Sequence, residues 1–168
     1  MTEPLHDEEA FDPKNLFNEK KFHTIFVNRD GLSSRQNDTA DLIVQLLQPG
    51  ITRPESEEIF TALRDANAHE LLVRALDSSG SEHDKKIIAA ACWESGIDFS
   101  QHFAFFAQLV CNSGFELAME AMTVIQEMES LPREEMKRFF AKISADEEPS
   151  NAMVNELRDF INSKLQSL

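Results

Sequence analysis

The stretch AAACWESG, residues 89–96, places a cysteine beside the only tryptophan of the chain and shortly before a glycine. A cysteine becomes a nucleophile when a helix amino terminus or a nearby base lowers its pKa. Cys92 instead falls near the carboxyl end of a predicted helix and beside Glu94, and both features disfavour a thiolate. We therefore expect Cys92, and likewise Cys111, to be structural, and we expect Gly96 to end the helix.

Metal-binding and other catalytic patterns are also missing from the sequence. No two histidines have the i, i+4 spacing of a helical metal site, and neither HExxH nor CxxC occurs. A metal site would have to be assembled from residues far apart in sequence, so we predict no metal and no cofactor. No glycine-rich phosphate loop and no GxSxG turn occurs either, and we predict no catalytic residues. The histidines are His6, His23, His69, His83 and His102, of which His69 and His83 are expected to be exposed in helix first turns.

The charge of the chain limits its partners. Thirty acidic residues face sixteen basic ones, which gives a net charge of −14. This charge repels nucleic-acid phosphates and anionic membranes, and it suits a basic protein or peptide. The first residues are acidic, and no apolar run approaches the roughly 18 residues of a membrane span. We expect a cytoplasmic protein with reduced thiols.

Hydrophobic periodicity predicts eight helices between residue 37 and the end of the chain, joined by loops of about two to six residues. The fold class is therefore all-α. The predicted amino-terminal caps or first residues are Asn37 or Asp38, Thr52, Asn67, Ser81, Asp98 or Ser100, Pro132 and Ser150. Predicted ends fall at Gly50, Gly80, Gly96 and Gly114.

Residues 1–35 differ in composition from residues 36–168, and we treat them as two regions. The first region is acidic at its start and contains a β-prone run over Phe22–Val27. A single strand has nothing to pair with, so we expect an extended arm or a short helix that docks on the helical domain. Such an arm is a candidate to shield a binding groove until a partner displaces it.

The helical region also shows a repeat. The strings LLQPG, ALDSSG and LVCNSG end at Gly50, Gly80 and Gly114, which are 30 and 34 residues apart. Each is followed by a helix with an apolar middle: EEIFTAL, KKIIAAAC and AMEAMTVI. Over residues 37–168 this arrangement resembles the HEAT and armadillo class of helical repeats, although no consensus string of that class is present. The resemblance implies a short α-solenoid of stacked antiparallel hairpins; the alternative is an irregular helical bundle.

The helix over residues 84–96 carries apolar side chains on two faces. Ile87, Ile88 and Cys92 lie on one face, whereas Lys86, Ala89, Ala90 and Trp93 lie on the other. Either neighbouring units enclose this helix, or Trp93 lines an exposed groove. In helical-hairpin solenoids the second helix of each unit usually lines the concave surface, which gives a candidate partner-binding set of Trp93, Lys86, Glu58, Asp65, Glu120 and Glu127.

Three functions remain open at this point. The first is a non-enzymatic protein-interaction or scaffold module that binds a basic or amphipathic segment. The second is an enzyme or small-ligand protein with an inter-helical site that uses His102, Cys111 or a buried glutamate. The third is a regulatory subunit that is stable only in an oligomer. A pocket with converging polar groups favours the second function, and a large exposed apolar patch favours the third.

Overall fold

The computed structural model describes residues 34–145 and 151–167, and these residues form eight α-helices, one short 3₁₀ helix and no β-strand. The all-α class is therefore confirmed. Most of the predicted arm, residues 1–33, and the predicted cap Ser150 lie outside the described residues. The helices are α1 (Ser34–Leu46), α2 (Arg53–Asp65), α3 (His69–Ser78), α4 (Glu82–Glu94), α5 (Phe103–Asn112), α6 (Phe115–Gln126), α7 (Arg133–Ser144) and α8 (Met153–Ser167).

Three helix ends follow the predicted chemistry. The backbone N–H and the hydroxyl of Thr52 both donate to the Glu55 carboxylate at the start of α2, at 2.8 and 2.7 Å. The Ser81 hydroxyl accepts from the N–H of Asp84 and caps α4. Gly96 has a φ of +67°, the left-handed conformation that favours glycine after a helix.

Other predicted boundaries were wrong. Helix α1 begins at Ser34, ahead of Asn37 and Asp38. Asn67 does not cap α3, because Ala68 intervenes and Asn67 has a φ of +52°. Asn tolerates this left-handed backbone better than most residues, so it serves here to turn the chain between α2 and α3.

The connection into α5 also departs from the prediction of a helix that starts at Asp98 or Ser100. A 3₁₀ turn, Ser100–His102, comes first, and α5 begins at Phe103. The Asp98 carboxylate accepts from the N–H groups of Ser100 and Glu129, at 3.0 and 3.2 Å. Burial opposes ionisation of Asp98, but the hydrogen bond that the Ser100 hydroxyl donates, together with the two N–H bonds, outweighs it and lowers the pKa of Asp98. The loop is thereby fixed to the segment that follows α6.

Helix α4 lies at the centre of the fold. It packs against α3 and α6 and also contacts α1. Ile88, Ala89, Ala91 and Cys92 are all fully buried, and at about 100° per residue they span roughly 160° of the helix circumference. The sequence left open whether neighbouring units enclose this helix or Trp93 is exposed; the structure buries Ala89, which the helical wheel put beside Trp93, and leaves Trp93 partly exposed.

Helices α4 and α6 run side by side in the same direction. Contacts between them advance together along both helices, from Glu82 with Gly114, through Lys86 with Glu116, to Trp93 with Glu120. At the first of these, the Glu82 carboxylate accepts from the Gly114 N–H at 2.8 Å. A β-carbon at residue 114 would lie 2.7 Å from Glu82 Oε1, so a larger residue would displace the end of that side chain. Gly114 is the N-cap of α6, whereas the prediction made it the end of the preceding helix.

We predict that two adjacent isoleucines of α4 differ sharply in their effect on stability. Ile88→Ala should lower the free energy of unfolding by about 2–5 kcal/mol, because it leaves a cavity in the core. Ile87→Ala is the matched control and should cost less than about 1.5 kcal/mol, because Ile87 is only half-buried. Urea unfolding followed by circular dichroism measures both, and equal losses would contradict the described orientation of α4.

Candidate functional site

A cleft, here called the main cleft, opens between the α1–α2 loop, α2 and α4, and has a volume of about 630 Å³. Its wall is largely apolar and includes Leu47, Ile51, Phe60, Ile87 and Ala90. A recess of this size accommodates apolar side chains of a partner or a small molecule.

Charged side chains rim the main cleft, and its two cations are paired with carboxylates. Arg53 binds Glu57 (Nε to Oε1, 2.9 Å) and also the Glu94 carboxylate. Its pKa is raised, chiefly by the hydrogen bond to Glu94. Lys86 Nζ lies 2.7 Å from Glu116 Oε2, and this contact raises the pKa of Lys86 and lowers that of Glu116. The rim therefore offers more negative than positive charge.

A second recess, here called the side hollow, adjoins the main cleft. It has a volume of about 350 Å³, and Phe115 and Leu117 supply its apolar wall. His83 and Lys86 line both recesses, so these two residues form the boundary between them. The two recesses together form one groove along the start of α4 and α6.

Trp93 lies on the surface rather than in the core. Its side chain is 36% exposed, and its indole N–H donates to Glu120 Oε2 at 2.8 Å. Phe115 and Met119, one turn apart on α6, are 55% and 43% exposed. These are the large apolar side chains that the described part of the chain leaves in solvent, and all three belong to α4 and α6.

The structure brings together three of the six candidate partner-binding residues. Lys86 lines both recesses and Glu120 lines the main cleft, whereas Trp93 contacts Glu120 but lines neither recess. The other three lie elsewhere. Glu58 lines a third hollow, which shares residues 48–51 with the main cleft; Asp65 ends α2, where its carbonyl accepts from Arg35; and Glu127 follows the last residue of α6.

Sequence reasoning missed Arg53, Glu94 and Phe115. Arg53 and Glu94 pair across 41 residues, and neither belongs to a periodic pattern that would link them. Phe115 follows a glycine at the start of a helix, where an apolar residue is normally taken as part of the core. The only sequence feature that suggested an exposed Phe115 was its position beside the charged first turn of α6.

The two thiols differ in burial. Cys92 is fully buried, and burial raises the pKa of its thiol far above the ordinary value. Cys111 is half-buried on α5. A raised pKa removes the thiolate needed for nucleophilic chemistry at neutral pH, so the structural role predicted for Cys92 agrees with its burial.

Two histidines predicted to be scattered converge on one carboxylate. His69 Nε2 and His102 Nε2 lie 3.7 and 3.5 Å from Glu70 Oε1. His69 is half-buried rather than exposed as expected, and the two imidazole centroids are 5.7 Å apart. The sequence gives no local signal for this group, because 33 residues separate the two histidines.

None of the helices in the described part of the chain combines the length and the apolar character needed to cross a bilayer. Comparisons with protein-family models, with curated proteins and with solved structures give no match.

We predict that Cys92 resists alkylation in the folded protein. With iodoacetamide at about pH 8, close to the ordinary pKa of a thiol, Cys111 should be labelled first and Cys92 should remain unmodified, because its thiol is buried and protonated. In guanidinium chloride both should react fully. Peptide mass spectrometry measures the two sites separately, and rapid labelling of Cys92 in the native protein would contradict its burial.

Proposed function

We propose that this protein is a non-enzymatic interaction module that binds a basic, amphipathic segment of another protein along the groove beside α4 and α6. The observation that carries the proposal is the adjacency of two recesses with apolar walls, the main cleft and the side hollow, which share His83 and Lys86. Two neighbouring recesses suit a segment with two apolar anchors, whereas one compact ligand needs only one.

Apolar contacts would supply most of the affinity. Ile51, Phe60 and Ile87 line the main cleft, and Phe115 lines the side hollow while remaining more than half exposed. A helical partner presents side chains on one face at i, i+3 and i+4, which reach neighbouring recesses. Burial of such anchors in pockets is how a few residues dominate the binding energy of an interface.

Charge would supply the selectivity for a basic partner. Asp84, Glu94 and Glu120 line the main cleft together with Arg53 and Lys86, and both cations already contact glutamates. The chain as a whole carries −14 charges, so its field attracts cationic segments. Complementary charge accelerates association and disfavours acidic competitors.

The groove would belong to a short stack of helical hairpins. Several contacts between distant segments join residues 30–32 positions apart: Arg35 with Asp65, Glu82 with Gly114, Lys86 with Glu116, Asp98 with Glu129 and Ser100 with Ser130. The offset of these five contacts is close to the repeat of 30 and 34 residues in the sequence, although Trp93–Glu120 and Arg53–Glu94 have offsets of 27 and 41. The parallel course of α4 and α6 is typical of equivalent helices in successive units. The stack, its resemblance to HEAT and armadillo repeats, and a cytoplasmic location stay predictions.

A small-molecule ligand is the second candidate. The main cleft alone falls in the volume range of ligand sites, and it has polar groups of both signs at its edge. An oligomeric interface is the third candidate, and the exposure of Trp93, Phe115 and Met119 supports it. Both candidates appear as distinct outcomes of the experiment below.

The test uses two synthetic peptides without tryptophan, and both have the same leucine face. One carries lysine on its polar face, and the other carries glutamate. Fluorescence of Trp93, the only tryptophan, reports binding to the full chain. The lysine peptide should bind at least about tenfold more tightly than the glutamate peptide, and its affinity should fall as salt rises.

Paired arginine substitutions locate the binding surface. Ala90→Arg obstructs the main cleft and adds positive charge. It should therefore lower the affinity for the lysine peptide at least about tenfold. Ala104→Arg, on α5, is the matched control and should leave the affinity unchanged. Trp93→Ala, followed by calorimetry, should weaken binding, because Trp93 holds Glu120 at the edge of the main cleft, and should lower the melting temperature only slightly, because Trp93 is partly exposed.

Three outcomes would contradict the proposal. Equal affinity for the two peptides, or equal effects of the two arginine variants on that affinity, would contradict binding of a basic segment along the groove. A small molecule that copurifies with the native protein and is lost in Ala90→Arg would favour the second candidate. Sedimentation that shows a stable oligomer disrupted by Phe115→Ser would favour the third.

A further inference from the structure

The first turn of α3 and the 3₁₀ turn before α5 bring His69, Glu70 and His102 together at the surface, away from the groove. One ligand atom from each residue lies within 4.8 Å of the other two. We propose that these three residues bind a divalent transition-metal ion of the Zn²⁺ class. Imidazole and carboxylate groups are standard ligands for such an ion.

The orientation of His69 is set by its neighbour Asn67. His69 Nδ1 lies 3.1 Å from the Asn67 carboxamide oxygen, which only accepts hydrogen bonds. Nδ1 therefore carries the proton, and the lone pair of neutral His69 is on Nε2, the atom that faces Glu70. A second hydrogen bond of this kind is what fixes the tautomer and direction of metal-ligating histidines.

The Nε2 atom of His102 lacks a hydrogen-bond partner within the described part of the chain. This atom is buried, and Glu70 Oε1 lies 3.5 Å away from it. That separation is an ion-pair distance, but the geometry is not that of a hydrogen bond. The Nε2 atom of His69 faces the same oxygen, so two imidazole nitrogens and one carboxylate oxygen converge on a point where an ion could bind all three.

The ring of His102 is held in place before any ion binds. His102 is the last residue of the 3₁₀ turn, and its backbone N–H donates to the Phe99 carbonyl at 2.8 Å. The buried Phe99 ring lies 6.2 Å from the imidazole, centroid to centroid. Asp98 and Ser100 fix the same turn to the chain after α6 through Glu129 and Ser130.

The distances suit a tetrahedral ion after a small adjustment. Bonds of about 2.0–2.1 Å place tetrahedral ligand atoms roughly 3.4 Å apart, and the two distances to Glu70 are 3.5 and 3.7 Å. The partial positive charge at the amino end of α3 opposes a cation, and the Glu70 carboxylate offsets it. Because the Glu70 side chain is 65% exposed, the fourth coordination position is open to water.

The experiment uses the full chain after treatment with a chelator. Calorimetric titration with Zn²⁺ should show one site, and Co²⁺ should give the visible absorption of a tetrahedral centre. His69→Ala and His102→Ala should each weaken Zn²⁺ binding at least about tenfold, because each removes a ligand. His83→Ala is the matched control, since His83 is an exposed histidine of α4, and it should leave the affinity unchanged.

The variant Asn67→Gly tests the orientation of the His69 ring without removing a metal ligand. Glycine keeps the left-handed backbone and removes only the carboxamide, so all three ligands remain. The affinity for Zn²⁺ should fall by roughly tenfold, which is the usual effect of removing a hydrogen bond that orients a metal ligand. Circular dichroism of each variant shows whether it is folded.

A measurement on the unaltered protein covers the case in which a variant does not fold. In ¹⁵N imidazole spectra, Zn²⁺ should shift the Nε2 resonances of His69 and His102 and leave His83 unchanged. Shifts confined to other histidines, or equal Zn²⁺ affinity in His83→Ala and His102→Ala, would overturn the proposal. Loss of this site would leave the peptide-binding groove untouched, because His69, Glu70 and His102 line neither the main cleft nor the side hollow.

Discussion

The burial of α4 on more than one side is the constraint on which the rest of the structure depends. Ile88, Ala89, Ala91 and Cys92 are all removed from solvent, and α3 and α6 both pack against this helix. The two alanines have short side chains, which lets neighbouring backbones approach closely without leaving voids. An enclosed helix retains only a narrow strip for solvent, and in α4 that strip carries Lys86, Ala90 and Trp93. The candidate groove therefore lies along the face of α4 that does not pack into the core.

The same packing explains how charged and aromatic groups meet. Because α4 and α6 run side by side in the same direction, Lys86 lies beside Glu116, and Trp93 lies beside Glu120. Each of these contacts is exposed and weak alone, so the groove is shaped by the helices beneath it and not by its ion pairs. The histidine cluster has a similar origin, since the loop that carries His102 is fixed by backbone N–H groups that follow α6.

Local patterns predicted much of the fold. Hydrophobic periodicity indicated eight helices, and hydroxyl or glycine residues marked the ends at Thr52, Ser81 and Gly96, because caps act within one helical turn. The site was less predictable, because its contacts join residues with no local relation. The Arg53–Glu94 pair and the His69–His102 pair each depend on how whole helices pack. Asn67 was misread for a different reason: both a cap and a left-handed turn favour Asn, and only the backbone distinguishes them.

Native-state hydrogen exchange tests the central position of α4 most directly. If α4 is enclosed as described, the amides of Ile88–Cys92 exchange only when the whole domain unfolds, and their free energy of opening equals the free energy of unfolding from denaturant titration. The amides near the end of α8, at the edge of the fold, should open at a lower free energy. Opening of α4 at a free energy equal to or below that of α8 would contradict the account, since a helix buried by its neighbours cannot open before they do.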